Sequence, residues 1–564
     1  MAFTRFFRID PKGVHQAALL LAMSSIANGA LGLLRDRLLA GEFGASRALD
    51  IYYAAFRIPD FIFSLSLFFV ASTAFIPLLI EHKNRSVREA QDFFDTVFTF
   101  FIMTISGMII VAYFVMPYLI PKIVPGFGIQ AQLRTIMLAR VMLLSPLLLG
   151  ASSLVSSIVQ SSRKFFTYAL APIAYNGGII IGILYLVPRF GFLGLAYGVT
   201  LGALFHLLVQ VPTLLKLGAL PRFRFIMRTN PFQVMYYSLP RASALSVNQL
   251  TLLVLTSLAS TLGAGAIAIF NLSTNLYALP IAIIGLSYSV ASFPIMAELA
   301  LHKDKNLFFE HLLTATRHIL FWTMPVTGLV IVLRAHIVRL ILGTGSFAWI
   351  DTHLTTASLL IFSFAIVSQS LVTLFVRAYH ALGRVREPMI FNITAAITTM
   401  SLAYGIVFLV QKYYTIELFF TWLFRIHVEN LPNIIFLSLP FAFSVGTFIN
   451  ALLLGVTIFR LNGSGAIREL ITSAMRIFCI TIVVSFAAYG VLKIESAIFT
   501  DDSFFSLSTF VGVLLQGGGA GLVGLLIGGA LSWFFDIREF QEIKQALSSR
   551  FNRKDLLGPD IEHI

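Results

Sequence analysis

Residues 96–120 read TVFTFFIMTISGMIIVAYFVMPYLI, a run of 25 residues without a charged side chain. An α-helix of about 20 residues crosses the roughly 30 Å hydrocarbon core of a bilayer, so this run is long enough to be a membrane span. Similar runs recur along the 564-residue chain, of which 58% is hydrophobic and 12% charged. Soluble proteins have about a quarter charged residues, so the composition indicates a polytopic helical membrane protein.

The apolar runs predict about 14 transmembrane helices. Their approximate bounds are 14–40, 58–81, 93–120, 132–160, 166–187, 192–216, 233–261, 266–299, 312–334, 354–380, 388–411, 433–459, 469–493 and 507–535. About 24 Lys and Arg residues fall in connections on the side of both termini and roughly nine on the other, which predicts cytoplasmic termini. The net charge of +14 is spread over these short loops and does not indicate nucleic-acid binding.

Two pairs of proline motifs indicate an internal duplication. The sequence AFIP ends the second span at Pro77 and ASFP ends the eighth at Pro294, while Pro172 and Pro388 follow basic loops before the fifth and eleventh spans. The two pairs have separations of 217 and 216 residues, so one offset relates both. The fold class is therefore all-α, with two six-helix lobes related by a pseudo-two-fold axis along the membrane normal, plus a C-terminal helix pair.

The duplication divides the chain into predicted regions. We expect an N-lobe at 1–216, a C-lobe at 217–460, the C-terminal pair at 461–535 and a cytoplasmic tail at 536–564. The segment 413–432 within the second lobe is aromatic-rich and charged, and is typical of an amphipathic helix at the membrane interface. We expect a central cavity between the lobes to be the functional site.

Charged residues inside the predicted spans are the best candidates for that site, because each costs about 2.5–3.5 kcal/mol in the bilayer centre. Arg35 and Asp36 lie near the end of the first span, Asp50 lies in the connection or at the start of the second, and Arg57 precedes Ile58-Pro59. Arg35 is either part of a structural ion pair with Asp36 or Asp50, or part of a cationic lining for phosphate oxygens. Arg241 is either a further lining residue or an interfacial one.

Enzyme chemistry is not indicated. The 11 histidines form no HExxH motif, and no P-loop is present. The run Gly517–Gly519 lies in the last span, where it predicts close helix packing rather than phosphate binding. The single cysteine, Cys479, excludes an internal disulfide and a multi-thiolate metal site. We therefore expect no cofactor.

Several motifs resemble those of the MurJ/MviN lipid II flippases, within the superfamily of multidrug, oligosaccharidyl-lipid and polysaccharide exporters. They span residues from about 20 to 460, and the three most informative are GLLRD at 32–36, FRIP at 56–59 and RAYHALG at 377–383. The resemblance implies an alternating-access transporter of the bacterial inner membrane whose substrate is lipid-linked and of the undecaprenyl-pyrophosphate type. It also implies that the last helix pair forms a groove for the lipid tail.

The resemblance implies a set of substrate-binding positions. Arg35, Asp36 and Asp50 match the family pattern, and Arg57 stands where a basic residue is common. Three positions at which the family has arginine are occupied by Gly29, Phe63 and Asn275. With Arg241, the candidate substrate-binding residues are Arg35, Asp36, Asp50, Arg57, Arg241 and Asn275. The alternatives are an exporter of another lipid-linked saccharide or amphiphile, and a non-transporting scaffold that interacts with cell-wall synthesis proteins.

Overall fold

The computed structural model describes residues 14–70, 72–162, 164–224, 232–413, 434–461, 465–498 and 509–552. Within these ranges the chain is helical and contains no β-strand. This agrees with the all-α prediction, since apolar segments in lipid satisfy their backbone hydrogen bonds most simply as helices.

The first half of the described chain contains twelve helices. They are α1 (Val14–Phe43), α2 (Arg47–Ala55), α3 (Arg57–Val70), α4 (Ser72–Arg85), α5 (Val87–Ile123), α6 (Ile129–Met142), α7 (Leu144–Ser161), α8 (Phe165–Ile181), α9 (Val187–Phe190), α10 (Leu193–Leu208), α11 (Val211–Leu217) and α12 (Phe232–Thr261). The α5 helix begins where the Ser86 side chain accepts a hydrogen bond from the backbone N–H of Glu89, a side-chain cap that satisfies a free N–H.

The second half contains nine more helices among the described residues. They are α13 (Ala266–Pro280), α14 (Ser287–Leu301), α15 (Lys305–Leu342), α16 (Trp349–Ala381), α17 (Arg386–Lys412), α18 (Ser438–Arg460), α19 (Gly465–Ile498), α20 (Phe510–Phe534) and α21 (Arg538–Asn552). A π-helical turn, Ile281–Leu286, joins α13 to α14, and another, Gly182–Leu186, joins α8 to α9.

Eleven segments of the described chain are long and apolar enough to cross a membrane. They coincide with the predicted third to sixth and eighth to fourteenth spans. Helices also occupy the other three predicted positions, but α1, α3 with α4, and α12 are not in this set. The chain is a multi-pass membrane protein, and the count of 14 stays a prediction.

The chain divides into two compact units. The first unit comprises Met1–Leu279, Ile341–Phe362 and Arg384–Asn450. Its helices α8 and α10 approach closely, because a Cβ on Gly178 would collide with the Cα of Gly202. Elsewhere in this unit, the rings of Tyr277 and Phe362 stack with their centroids 5.0 Å apart. Small residues such as Gly178 and Gly202 allow two helices to pack closely in membrane proteins.

The second unit comprises Pro280–Leu340, Ser363–Gly383 and Ala451–Ile564. Its core joins α15 to α19, with Leu329, Ile480 and Val484 among the buried members. The prediction that the glycine run in α20 serves helix packing is confirmed at two of its residues. A Cβ on Gly517 would lie 3.1 Å from the Cβ of His336, and one on Gly519 would lie 2.8 Å from Oε1 of Glu495.

Two predicted features lie outside the described residues. The segment 413–432, predicted as an interfacial helix, lies outside them apart from Tyr413. Arg241 falls within α12, but its side chain is also outside the described part of the chain. The α21 helix lies within the predicted tail at 536–564.

Candidate functional site

Arg35 lies at the centre of a polar network in the first unit. Its Nε and Nη2 donate to Oδ1 of Asp36 at 3.0 and 2.8 Å. Its Nη1 donates to Oδ1 of Asn176, on α8, at 3.1 Å. The structure therefore contains the Arg35–Asp36 ion pair, one of the two sequence interpretations. A guanidinium has five N–H donors, so these three bonds leave two N–H groups of Arg35 for another acceptor.

Amide side chains complete this network on both sides of Arg35. Asn275 on α13 donates from Nδ2 to Oδ2 of Asp36 at 2.8 Å, and Asn176 donates to Oδ1 of Asn28 at 2.9 Å. The Asp36 side chain is 3% exposed and that of Arg35 is 22% exposed. The carboxylate is thus fully engaged by protein donors, whereas part of the guanidinium remains accessible.

Arg37 makes a different contact from Arg35. Its Nη1 lies 3.4 Å from the carbonyl oxygen of Ile341. Residues two positions apart on a helix face different directions, so this divergence follows from the spacing.

Arg57 is buried at the start of α3, and α2 separates it along the chain from Arg35 on α1. Its Nη2 donates to Oδ1 of Asn271 at 2.8 Å. Asn271 and Asn275 are one turn apart on α13 and therefore share a face. Through this face α13 contacts Arg57 of α3 and Asp36 of α1.

Asp50 is buried and holds the beginning of α13. Its Oδ2 accepts the backbone N–H of Gly265 at 2.8 Å, and its Oδ1 accepts that of Ala268 at 2.9 Å. A carboxylate at a helix N-terminus satisfies free N–H groups and interacts favourably with the helix dipole. Arg47 lies 3.6 Å from the same carboxylate. The Asp50 carboxylate therefore contacts two backbone N–H groups and the guanidinium of Arg47.

A second carboxylate makes a similar contact at the turn after α1. Asp351 accepts the backbone N–H of Ala45 at 3.2 Å and that of Ala348 at 3.0 Å. The neighbouring backbone is in close contact, because Ser346 N–H donates to the carbonyl of Gly41 at 2.7 Å. Gly345 has φ +56°, and a Cβ there would collide with Gly41. Only glycine fits this close contact easily.

The second unit contains an ionic cluster that was not predicted from the sequence. Arg317 donates from Nε to Glu539 at 2.8 Å and from Nη1 to Glu469 at 2.7 Å. Its Nη2 lies 3.7 Å from Glu542, which also contacts Nε2 of His318 at 2.8 Å. The Arg317 side chain is 4% exposed. The cluster joins α15, α19 and α21.

Five of the six candidate residues have defined partners in the first unit. Arg35, Asp36 and Asn275 form one network, Arg57 binds Asn271, and Asp50 binds the start of α13. Sequence reasoning missed Asn271, although its spacing from Asn275 on an apolar helix was a usable signal. Within the described part of the chain, no group of three or more His, Cys, Asp or Glu residues forms a candidate metal site.

A profile of the MurJ family, described as lipid II flippase MurJ, matches residues 39–510. The chain belongs to the MurJ family. The matched region includes Asp50, Arg57 and Asn275, and begins just after Arg35 and Asp36. A MurJ relative from Borreliella burgdorferi, named probable lipid II flippase MurJ, is 25% identical over 69% of this chain and 76% of its own length. One of the same name from Thermotoga maritima is 27% identical over 66% of this chain and 75% of its own.

Solved structures show the same fold. A lipid II flippase MurJ structure in an inward closed conformation aligns with a TM-score of 0.71 at 22% identity, covering 92% of this chain and 99% of that one. An inward-facing multidrug resistance transporter of the MATE family, from the MOP superfamily, aligns with a TM-score of 0.61 at 15% identity, covering 79% of this chain. The fold is therefore that of MurJ and MATE transporters, as the resemblance implied.

Proposed function

We propose that this chain is a lipid II flippase that moves the lipid-linked peptidoglycan precursor across the bacterial inner membrane by alternating access. Family membership and the names of its relatives support this assignment. The observation in the structure that supports it best is Arg35, a partly exposed guanidinium with two unused N–H donors. Such donors match the oxygens of a pyrophosphate.

The proposed binding residues are Arg35, Asp36, Asp50, Arg57, Arg241 and Asn275. Hydrogen bonds join residues of the predicted N-lobe to the predicted C-lobe at Asp36–Asn275, Arg57–Asn271 and Asp50–Gly265. In an alternating-access cycle the lobes rock apart, so such bonds break in one state and form in the other. We place both termini in the cytoplasm on the basis of the loop charges.

The function is tested by rescue of a bacterium depleted of its own lipid II flippase. We expect the wild-type chain to restore growth and to restore labelling of lipid II on the outer leaflet. Arg35→Ala removes the proposed phosphate donor, and we expect it to abolish rescue. Arg140→Ala is a matched control, because Arg140 stacks over Tyr113 at 4.3 Å and takes no part in the network.

Three outcomes separate the proposals. Failure of a well-expressed wild-type chain contradicts lipid II as cargo and favours another lipid-linked saccharide or amphiphile. Activity retained in Arg35→Ala contradicts the proposed role of Arg35 but not the assignment as a lipid II flippase. A chain that does not flip lipid II but purifies with a stable cell-wall synthesis protein supports the scaffold alternative.

A further inference from the structure

The chain that leaves α11 towards α12 is bound to the side of α5. Gly218 ends α11 in the left-handed conformation, at φ +63°, which glycine adopts without steric cost. Pro221 follows, and a proline favours an extended backbone at the residue before it, here Leu220. We refer to residues 218–224 as the strap.

A polar stripe on α5 holds the strap. Gln91, Asp95 and Thr99 are successively four residues apart, so they share one face of the helix. Oδ1 of Asp95 accepts the backbone N–H of Arg222 at 2.9 Å and Nε2 of Gln91 at 2.8 Å. Oγ1 of Thr99 accepts the backbone N–H of Arg224 at 3.0 Å. Each step along the stripe therefore reaches the strap at a new position.

The spacing of these contacts follows from the geometry of the two elements. Gln91 also donates to the carbonyl oxygen of Leu220 at 3.1 Å, so the bonded strap residues are Leu220, Arg222 and Arg224. Four residues of α-helix rise about 6.0 Å, and two residues of extended chain span about 6.6 Å, so the stripe and every second strap residue stay in register. Pro221, which has no N–H to donate, lies between two bonded residues.

The acceptors of the stripe are buried. Asp95 is 1% exposed and Thr99 is 8% exposed. A buried carboxylate needs hydrogen-bond donors around it, and the strap supplies one of them to Asp95. The ring of Phe223 adds an edge-on contact with Phe98 of α5, at 6.1 Å between centroids. The strap is therefore attached to α5 by its backbone and by one aromatic ring.

Attachment shortens the chain that is free to span the distance to α12, which begins at Phe232. An extended chain covers at most about 3.3–3.6 Å per residue. From Arg224 to Phe232 there are eight residues, a reach of about 26–29 Å. From Gly218 there are 14 residues, a reach of about 46–50 Å. Release of the strap from α5 therefore adds about 20 Å of reach.

We propose that the strap is a limiter of lobe movement, which bounds the distance between α5 and the start of α12 while it is bound. This rests on the proposed function, because a limiter matters only where the lobes rock apart. The connection lies on the predicted cytoplasmic side. Wide opening on that side requires the bonds from Asp95 and Thr99 to break, so the bound strap favours narrower states.

The test measures distances between two spin labels by pulsed electron resonance, on the full-length chain in nanodiscs without cargo. The labels are placed at Arg88→Cys on α5 and Arg386→Cys on α17, both exposed positions, in a Cys479→Ser background. A Gly-Ser-Gly-Ser insertion directly after Arg224 keeps the strap contacts and adds about 13–14 Å of reach. We expect the longest distances to increase by up to that amount. The same insertion after Lys303, in the connection between α14 and α15, is the control and should leave them unchanged.

Asp95→Ala/Thr99→Val tests the contacts themselves. We expect faster hydrogen exchange at the amides of Arg222 and Arg224, because both lose their acceptors, together with longer spin-label distances. A purely structural role predicts a lower melting temperature and faster exchange with unchanged distances, which overturns the proposal. Longer distances in the insertion variant alone also overturn it, since chain length rather than binding to α5 then sets the limit.

The cargo assignment is tested separately, because the distance measurement uses no lipid II. Rescue of the depleted strain by wild type, with distances unchanged in both variants, refutes the limiter and leaves the flippase assignment intact. Failure of rescue, with longer distances in both variants, refutes lipid II as cargo and retains the limiter.

Discussion

Arg35 of the first unit and Arg317 of the second are both arginines in apolar helices, yet their surroundings differ. Arg317 is 4% exposed and has three glutamates around it, at 2.7, 2.8 and 3.7 Å. Arg35 is 22% exposed and has one carboxylate, Asp36, which it shares with Asn275. Arg317 is therefore neutralised by glutamates of neighbouring helices, whereas Arg35 keeps exposed N–H donors that a ligand can reach.

The composition of each surrounding explains this separation. The glutamates around Arg317, which lies on α15, come from α19 and α21. The cation therefore holds three helices together through fixed ion pairs. Around Arg35, neutral amides replace further carboxylates. Amides orient the guanidinium without neutralising it, which leaves its charge for an anionic group. We expect the loss in the free energy of unfolding to decrease in the order Arg317→Met, Asp36→Asn, Asp50→Asn and Arg538→Ala.

Arg317→Met should be the most destabilising of these changes. It leaves Glu539, whose side chain is 4% exposed, as a buried carboxylate without its cation. Removal of one partner from a buried ion pair costs about 3–5 kcal/mol. Denaturant titration of the purified protein in mixed micelles measures this loss. We expect Arg317→Met/Glu539→Gln to recover most of it, since the double variant removes the unpaired charge. A loss below about 1 kcal/mol for the single variant contradicts the structural role.

Asp36→Asn should cost less, about 1.5–3 kcal/mol, the range for hydrogen bonds to charged groups. Arg35 donates to Oδ1 of Asp36 and Asn275 donates to Oδ2, and asparagine replaces one of these two oxygens with an NH2 group that cannot accept. Arg35 retains Asn176 and some solvent contact, which limits the loss. The same titration measures it, and lipid II labelling in the depleted strain should show reduced flipping. Unchanged stability and flipping together would mean that the network does not position Arg35.

Asp50→Asn should cost about 1 kcal/mol, a typical value for loss of a helix cap. One of the two backbone N–H groups of α13, from Gly265 or Ala268, then loses its carboxylate acceptor. Hydrogen exchange at these two amides measures the effect locally, and we expect faster exchange at one of them. Asp351→Asn is a matched comparison, because Asp351 also accepts two backbone N–H groups. Protection unchanged in Asp50→Asn would rule out the capping role.

Sequence reasoning identified the helices well and their ends less well. The ninth span was predicted at 312–334, whereas α15 runs from Lys305 to Leu342. Hydropathy locates only the part of a helix that needs apolar side chains, and the polar turns at Lys305 and Arg339 lie beyond it. The fourth predicted span at 132–160 is divided at Leu143 into α6 and α7, a break that the sequence signals through Pro146, which has no N–H to donate to the carbonyl of Met142.

The candidate site was accessible to sequence reasoning where charge was local. Arg35 and Asp36 are neighbours, so their ion pair was one of the alternatives that the sequence predicted. The Arg317–Glu539 contact joins residues 222 positions apart, and Glu539 lies in a segment predicted as a cytoplasmic tail. Pairing between residues so far apart in sequence depends on how the helices pack. Neither hydrophobic periodicity nor the positive-inside rule predicts that packing. Asn271 was missed for a different reason. The search for site residues used charge, and an asparagine side chain is neutral.

Arg538→Ala should have the smallest effect, below about 1 kcal/mol, although Arg538 belongs to the same cluster as Arg317. Its side chain is 66% exposed and lies 3.3 Å from Glu542 and 3.9 Å from Glu469. Solvent screens such contacts, and the ordering of a long side chain offsets part of the gain. Raising the salt concentration should reduce the small effect further, whereas the loss in Arg317→Met should persist because the side chains of Arg317 and Glu539 are each only 4% exposed. A loss in Arg538→Ala as large as in Arg317→Met would mean that total cluster charge, rather than burial, determines stability. Burial would then no longer distinguish Arg317 from Arg35.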